Sequence, residues 1–133
     1  MKRFAAHYFV LGKESIYRQH YLELDEDKLV KGVSPLEKEI AGTVFYNGIL
    51  FPVSLALKLQ PAEILDALRA LSQQHPDDSV FQILQYSGFL CEDPGIPVQI
   101  FQLDGVDLVS LKLNLLAEHN VLNHVFPGLF IKP

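Results

Sequence analysis

The chain has 133 residues, enough for one domain with a proper core and too few for two. Its 49% apolar and 20% charged residues are the composition of a folded protein rather than a disordered one. A formal charge of −5, with the 11 Lys and Arg residues scattered along the chain, speaks against nucleic acid, whose phosphates call for clustered cations. Cys91 is the single cysteine, so an intrachain disulfide and a cysteine-rich metal site are both excluded.

The first segment, Met1 to Gly12, has two basic residues and then an apolar run, superficially like a secretion signal. The run is short, contains His7 and leads into charged residues without a small-residue cleavage site, so it is expected to be a first strand. No stretch reaches the roughly 18 uninterrupted apolar residues of a membrane helix, and the expected compartment is the cytoplasm. Phe4 to Leu11 reads as one strand, Gly12-Lys13-Glu14 as a break, and Ser15 to Leu24 as a second strand. Strict alternation would place Tyr17, Gln19, Tyr21 and Glu23 on one face of it and Ile16, Arg18, His20, Leu22 and Leu24 on the other. The acidic tip Asp25-Glu26-Asp27 is expected to turn the chain into a third strand ending near Val33.

After Ser34-Pro35, the segment Leu36 to Ile40 fits a helical turn or an extended connection. The run Thr43 to Tyr46 meets Asn47-Gly48, a pair suited to the positive φ angles of a hairpin turn, and Ile49-Leu50-Phe51 leads away. Pro52 is expected to end that strand, because a proline in mid-strand removes a ladder donor. Pro61 suits a first helical position, with Glu63 near the positive end of the helix dipole and Ile64, Leu65, Leu68 and Leu71 as an apolar stripe. Gln73 to Asp78 ends that helix. Asp78 or Ser79 caps a second one, carrying Val80, Phe81, Ile83 and Leu84 and continuing through Ser87-Gly88 to Leu90, where Cys91 would close it.

Glu92-Asp93-Pro94-Gly95 is a turn cluster, Val98 to Leu103 resumes a strand pattern, and Asp104-Gly105 is another tight turn. Leu108 to Leu116 and Val121 to Ile131 complete the chain with weaker alternation. The expected fold is therefore mainly β with two helices, α+β. It would be a small β-sandwich or barrel-like domain formed jointly by the N- and C-terminal segments, with the helices packed on it. One domain spans 1–133, its strands from about 1–53 and 96–131 and its helices from about 61–91.

Chemistry-bearing motifs are sparse. Of His7, His20, His75, His119 and His124, only His119 and His124 lie close in sequence, and their spacing fits neither a helix face nor a strand face. His7 and His20 lie on neighbouring strands and are candidates to meet. Asp25-Glu26-Asp27 lacks the spaced oxygens and glycine of a calcium loop and reads as a solvated turn. Ser87-Gly88 is no nucleophile elbow, and no glycine-rich phosphate loop is present in the sequence. Tyr17 and Tyr21, on one strand face with Gln19 and Glu23, are a candidate recognition surface, with cross-strand packing as the competing reading.

The order of these pieces resembles the metal-dependent amidohydrolases with their centre removed. Phe45-Tyr-Asn-Gly-Ile-Leu-Phe-Pro52 resembles the strand–turn–strand that in that superfamily leads into a zinc-binding His-x-His, so Phe45, Tyr46, Asn47, Gly48 and Pro52 stand as signature positions. Lys28 to Pro35 resembles a preceding strand. His75 to Leu90 resembles the last barrel helix, with Gly88 at its Asn-Gly step, and Asp93 to Ile100 with Gly105 to Leu108 resembles the re-entry into the β domain. The resemblance implies a composite β domain, but no His-x-His follows Pro52, and only eight residues separate Pro52 from Pro61, where a catalytic barrel needs at least roughly 200. No catalytic residue, metal ligand or cofactor is carried over. A non-catalytic interaction or oligomerisation module is expected, forming a homo-oligomer or engaging a protein partner, because the apolar run Leu55, Leu57, Leu59 and the helix stripe need a cover. The alternatives are an accessory subunit supplying its β domain in trans to a metal-dependent hydrolase, or a small-ligand-binding module.

Overall fold

The computed structural model of the chain describes residues 2–12, 15–36, 43–91, 93, 95–104 and 120–123. Six strands form one sheet: β1 (Lys2–Val10), β2 (Ile16–Leu24), β3 (Val30–Pro35), β4 (Thr43–Ser54), β5 (Val98–Asp104) and β6 (Asn120–Asn123). Their order is β3-β2-β1-β4-β5-β6, antiparallel throughout except that β1 and β4 run parallel. Helices α1 (Pro61–Gln74) and α2 (Val80–Ser87) lie between β4 and β5 in the chain and pack on one face of the sheet. The protein is thus mainly β with two helices, as the patterning predicts. The expected strand at Leu108 to Leu116, the turn at Gly105, His119, and His124 with the residues after it lie outside the described residues.

β4 does not turn at Asn47-Gly48. It runs on for 12 residues, and this corrects the hairpin expected there. Its first part pairs with β1, from Arg3↔Thr43 to Phe9↔Leu50, and its second part with β5, from Ile49↔Leu103 to Ser54↔Val98. Only Ile49 and Leu50 have partners on both sides in these ladders. Ile49 and Leu50 are paired to β1 on one edge and to β5 on the other, so neither has an edge left for the Tyr46 and Phe45 partners a hairpin would give it, and long-range pairing overrides the local preference of Asn-Gly. The positive φ is still used: Gly48, at φ +87°, forms an irregularity where β4 has one residue more than β1. The Asn47 carbonyl accepts from Gln102 Nε2 at 2.8 Å.

Pro52 also departs from expectation by lying within the strand, opposite Ile100. Its carbonyl accepts from the Cys91 N–H at 3.1 Å, so the backbone edge of Pro52 points away from β5, towards the side where the β1 ladder has already ended at Leu50. The missing N–H falls on that side and costs no β5 ladder bond.

The irregularity at Gly48 continues across the sheet. Phe4, Ala6 and Phe9 lie in one apolar cluster and Tyr8 and Val10 in the other, so alternation in β1 reverses at His7. In β2, Tyr17 shares the cluster of Leu22 and Leu24, a reversal that falls on Gln19, at φ +54°. Gln19 lies opposite His7 in the ladder, between the pairs Ala6↔His20 and Tyr8↔Arg18. The three irregular positions form a line across β2, β1 and β4, and the Gly48 N–H donates to His7 Nδ1 along it at 3.2 Å.

The sheet curls over the face holding Phe4, Phe9, Leu22, Leu24, Leu50, Val98 and Ile100. Val98 N–H donates to the Lys28 carbonyl at 2.8 Å, joining the β2–β3 turn to the start of β5, although in a flat sheet β2 and β5 would lie roughly 14 Å apart. The N-terminal hairpins and the later strand therefore share one core through β4. The opposite face stacks Phe51 on Phe101, centroids 6.1 Å apart, beneath Ile64 and Leu68 of α1 and Val80, Phe81, Ile83 and Leu84 of α2.

Both helices begin as their sequences require. Pro61 opens α1, and Glu63 Oε1 accepts from the Gln60 N–H at 2.9 Å. Ser79 caps α2, its Oγ accepting from the Gln82 N–H while Gln82 Oε1 accepts from the Ser79 N–H. The end of α2 differs from expectation. Gly88, at φ +75°, stops it after Ser87 rather than letting it run to Leu90, and Leu90 instead bridges to Val53. Cys91 consequently closes no helix and lies in extended chain beside Pro52.

The two glycines give a comparative test. A Cβ at Gly48 would run into the Leu103 carbonyl oxygen, whereas one at Gly88 meets nothing within 4 Å. In equilibrium urea unfolding, Gly88→Ala is expected to cost about 1 kcal/mol for its left-handed backbone alone, and Gly48→Ala about 3 kcal/mol or more. Equal losses would contradict the close approach of β4 and β5.

Candidate functional site

The short bridge from Pro52 to Pro61 folds into a compact corner. Ser54 ends β4, and its hydroxyl accepts from the Ala56 N–H at 3.2 Å, while the Leu55 N–H donates to the Pro97 carbonyl at 3.0 Å. One 3-10 turn, Leu55–Leu57, follows and is closed by Lys58 at φ +51°. Leu59 then packs onto the helix-side core, but Leu57 stays 50% exposed. Across from it, the end of α2 and the chain beyond it bring up Phe89, Leu90 and Cys91. A turn closed by Ile96 N–H on the Asp93 carbonyl at 3.2 Å presents Ile96, 37% exposed.

These segments enclose a cleft of 420 Å³ lined by Ser54, Leu57, Gln85, Gly88, Phe89, Leu90, Cys91, Asp93 and Ile96. Its walls are apolar, with a hydroxyl, an amide, a thiol and one carboxylate among them. Asp93 Oδ1 accepts from the Gly95 N–H at 2.8 Å, and Cys91 Sγ lies 3.6 Å from the Asp93 carbonyl. Such a surface offers apolar contact and hydrogen bonding.

Of the sequence-selected site residues, only Gly88 lines the cleft. Tyr17 and Tyr21 do not share a face: the reversal at Gln19 sends Tyr17 into the curled-side cluster with Leu22 and Leu24, and Tyr21, next to Leu22, faces the other way. His7 and His20 are each held by their own neighbours. His7 meets the ring of Phe45 edge-on at 5.0 Å, and His20 packs on Tyr17 at 5.1 Å with Nδ1–H donating to the Arg18 carbonyl. Tyr46 stacks on Phe4 at 6.1 Å, and burial pushes its phenol pKa up. At the α1–α2 corner, Asp78 Oδ2 accepts from the Tyr86 hydroxyl at 2.9 Å and lies 3.6 Å from His75 Nδ1. That hydrogen bond is the main cause of a raised Tyr86 pKa. Among the described residues, no group of three or more His, Cys, Asp or Glu side chains is placed to hold a metal ion.

Compared with known protein families, curated proteins and solved structures, the chain matches none.

The acidic tip has a structural task. Asp25 Oδ1 accepts from the backbone N–H groups of Asp27 at 2.8 Å and Leu29 at 3.0 Å, and Oδ2 lies 3.3 Å from Lys31 Nζ. The Leu29 hydrogen bond foremost, with help from Lys31 and Asp27, holds its pKa below the ordinary 3.8. A depressed folded-state pKa gives stability that is present above the unfolded value and lost as the pH falls through the folded one. Carboxyl NMR is expected to place the Asp25 midpoint below 3.8 in the native protein. A midpoint at or above that value would show the turn is not closed by this carboxylate.

Proposed function

We propose that the chain is a non-catalytic protein-interaction module whose contact surface is the cleft between the end of β4 and the end of α2. The supporting observation is the pair Leu57 and Ile96, large apolar side chains left in water that both line that cleft. Exposed apolar groups gathered at a concavity mark contact surfaces. The helix stripe makes no such demand, because Ile64 and Leu68 are already covered by the sheet. Of the Leu55, Leu57, Leu59 run and the helix stripe, for which the sequence suggests a cover, Leu57 is the member left half exposed.

Kinship with the amidohydrolase β domain is compatible with N- and C-terminal strands meeting on β4. The interaction reading does not depend on it. A second reading, a small-ligand module, draws on the cleft's 420 Å³, which lies within the range of about 300–1,000 Å³ typical of ligand pockets.

Cys91, the single cysteine, lies in the cleft and reports on its occupancy. Its alkylation is expected to slow as the protein's own concentration rises, if copies associate, or on addition of extract from the source cells, if another protein binds. Leu57→Ser should weaken that protection about five-fold, the worth of a central apolar contact, with folding stability within about 0.5 kcal/mol. Unchanged alkylation in both arms would refute the proposal.

A further inference from the structure

The chemistry of the cleft narrows the partner, on the reading that the cleft is a protein contact. Its lining contains one charged side chain, Asp93, and no Lys, Arg or His stands among the described residues that form it. The carboxylate is fixed rather than free, since the Gly95 N–H holds Oδ1 at 2.8 Å. A carboxylate has about four acceptor positions on its two oxygens, so this one bond leaves others for a further donor. Leu57 and Ile96, which line the same cleft, offer apolar contact.

We infer that the cleft receives a segment of a partner protein that presents a lysine or arginine beside an apolar side chain. The apolar group fills the space between Leu57, Phe89 and Ile96, and the cationic end of the neighbouring side chain meets Asp93. Long basic side chains suit this arrangement because their methylene stems lie along apolar walls while the charged head stays at the rim. A second copy of this chain fits less well. Its net charge of −5 opposes association of like surfaces.

The test uses three acetylated and amidated tripeptides, Leu-Lys-Leu, Leu-norleucine-Leu and Leu-Glu-Leu, titrated into the full chain while the amide signals of Gly88, Cys91 and Gly95 are followed by NMR. The lysine peptide is expected to bind two- to five-fold more tightly than the norleucine peptide, the range of an exposed ion pair, with the glutamate peptide weakest. Asp93→Asn keeps an acceptor for the Gly95 N–H and should erase this order while leaving norleucine affinity in place. Equal binding of the lysine and norleucine peptides, or a preference that survives Asp93→Asn, would overturn the inference about charge alone. Absence of binding by all three peptides would overturn it together with the contact role of the cleft.

Discussion

The structure depends on one constraint: β4 must pass through Asn47-Gly48 without turning. The N-terminal hairpins pair with its first part and β5 with its second, and the two ladders overlap at Ile49 and Leu50. β4 is therefore the splice between two half-sheets. The backbone meets this demand at Gly48, where a side chain would collide with the Leu103 carbonyl and where positive φ comes at little cost.

Other features follow from that splice. The offset between the ladders and the irregular line through Gln19, His7 and Gly48 let the sheet curl, so that Val98 reaches Lys28 and a second core forms beneath the curl. β4 outruns β1, and beyond Leu50 its free side is taken up by Leu90 and Cys91, which the stop at Gly88 delivers there. The cleft opens where this substitute edge meets the 3-10 turn after Ser54. Its position at the corner is set by strand lengths and a helix stop.

What could be read in the sequence was what local chemistry decides. The runs of β1, β2 and β5, the Pro61 start, the Ser79 cap and the Asp25 turn all depend on neighbours a few residues away, and each stands where the sequence places it. Asn47-Gly48 and Pro52 misled because their conformations are chosen by partners distant in sequence, Leu103 and Cys91. Tyr17 and Tyr21 were separated by a single positive φ at Gln19, a residue with no pattern to announce it. The cleft was legible only as a short bridge that needed explaining, since its lining comes from three segments and no motif joins Leu57 to Ile96.

The continuity of β4 is tested most directly by backbone NOEs in the native protein. A strand that runs through Gly48 requires interstrand contacts of Tyr8 with Ile49 and of Phe9 with Leu50, as the β1 ladder places them. A hairpin at Asn47-Gly48 would instead give contacts of Tyr46 with Ile49 and of Phe45 with Leu50. Finding the first set establishes the splice on which the curled core and the cleft depend, and finding the second would contradict it.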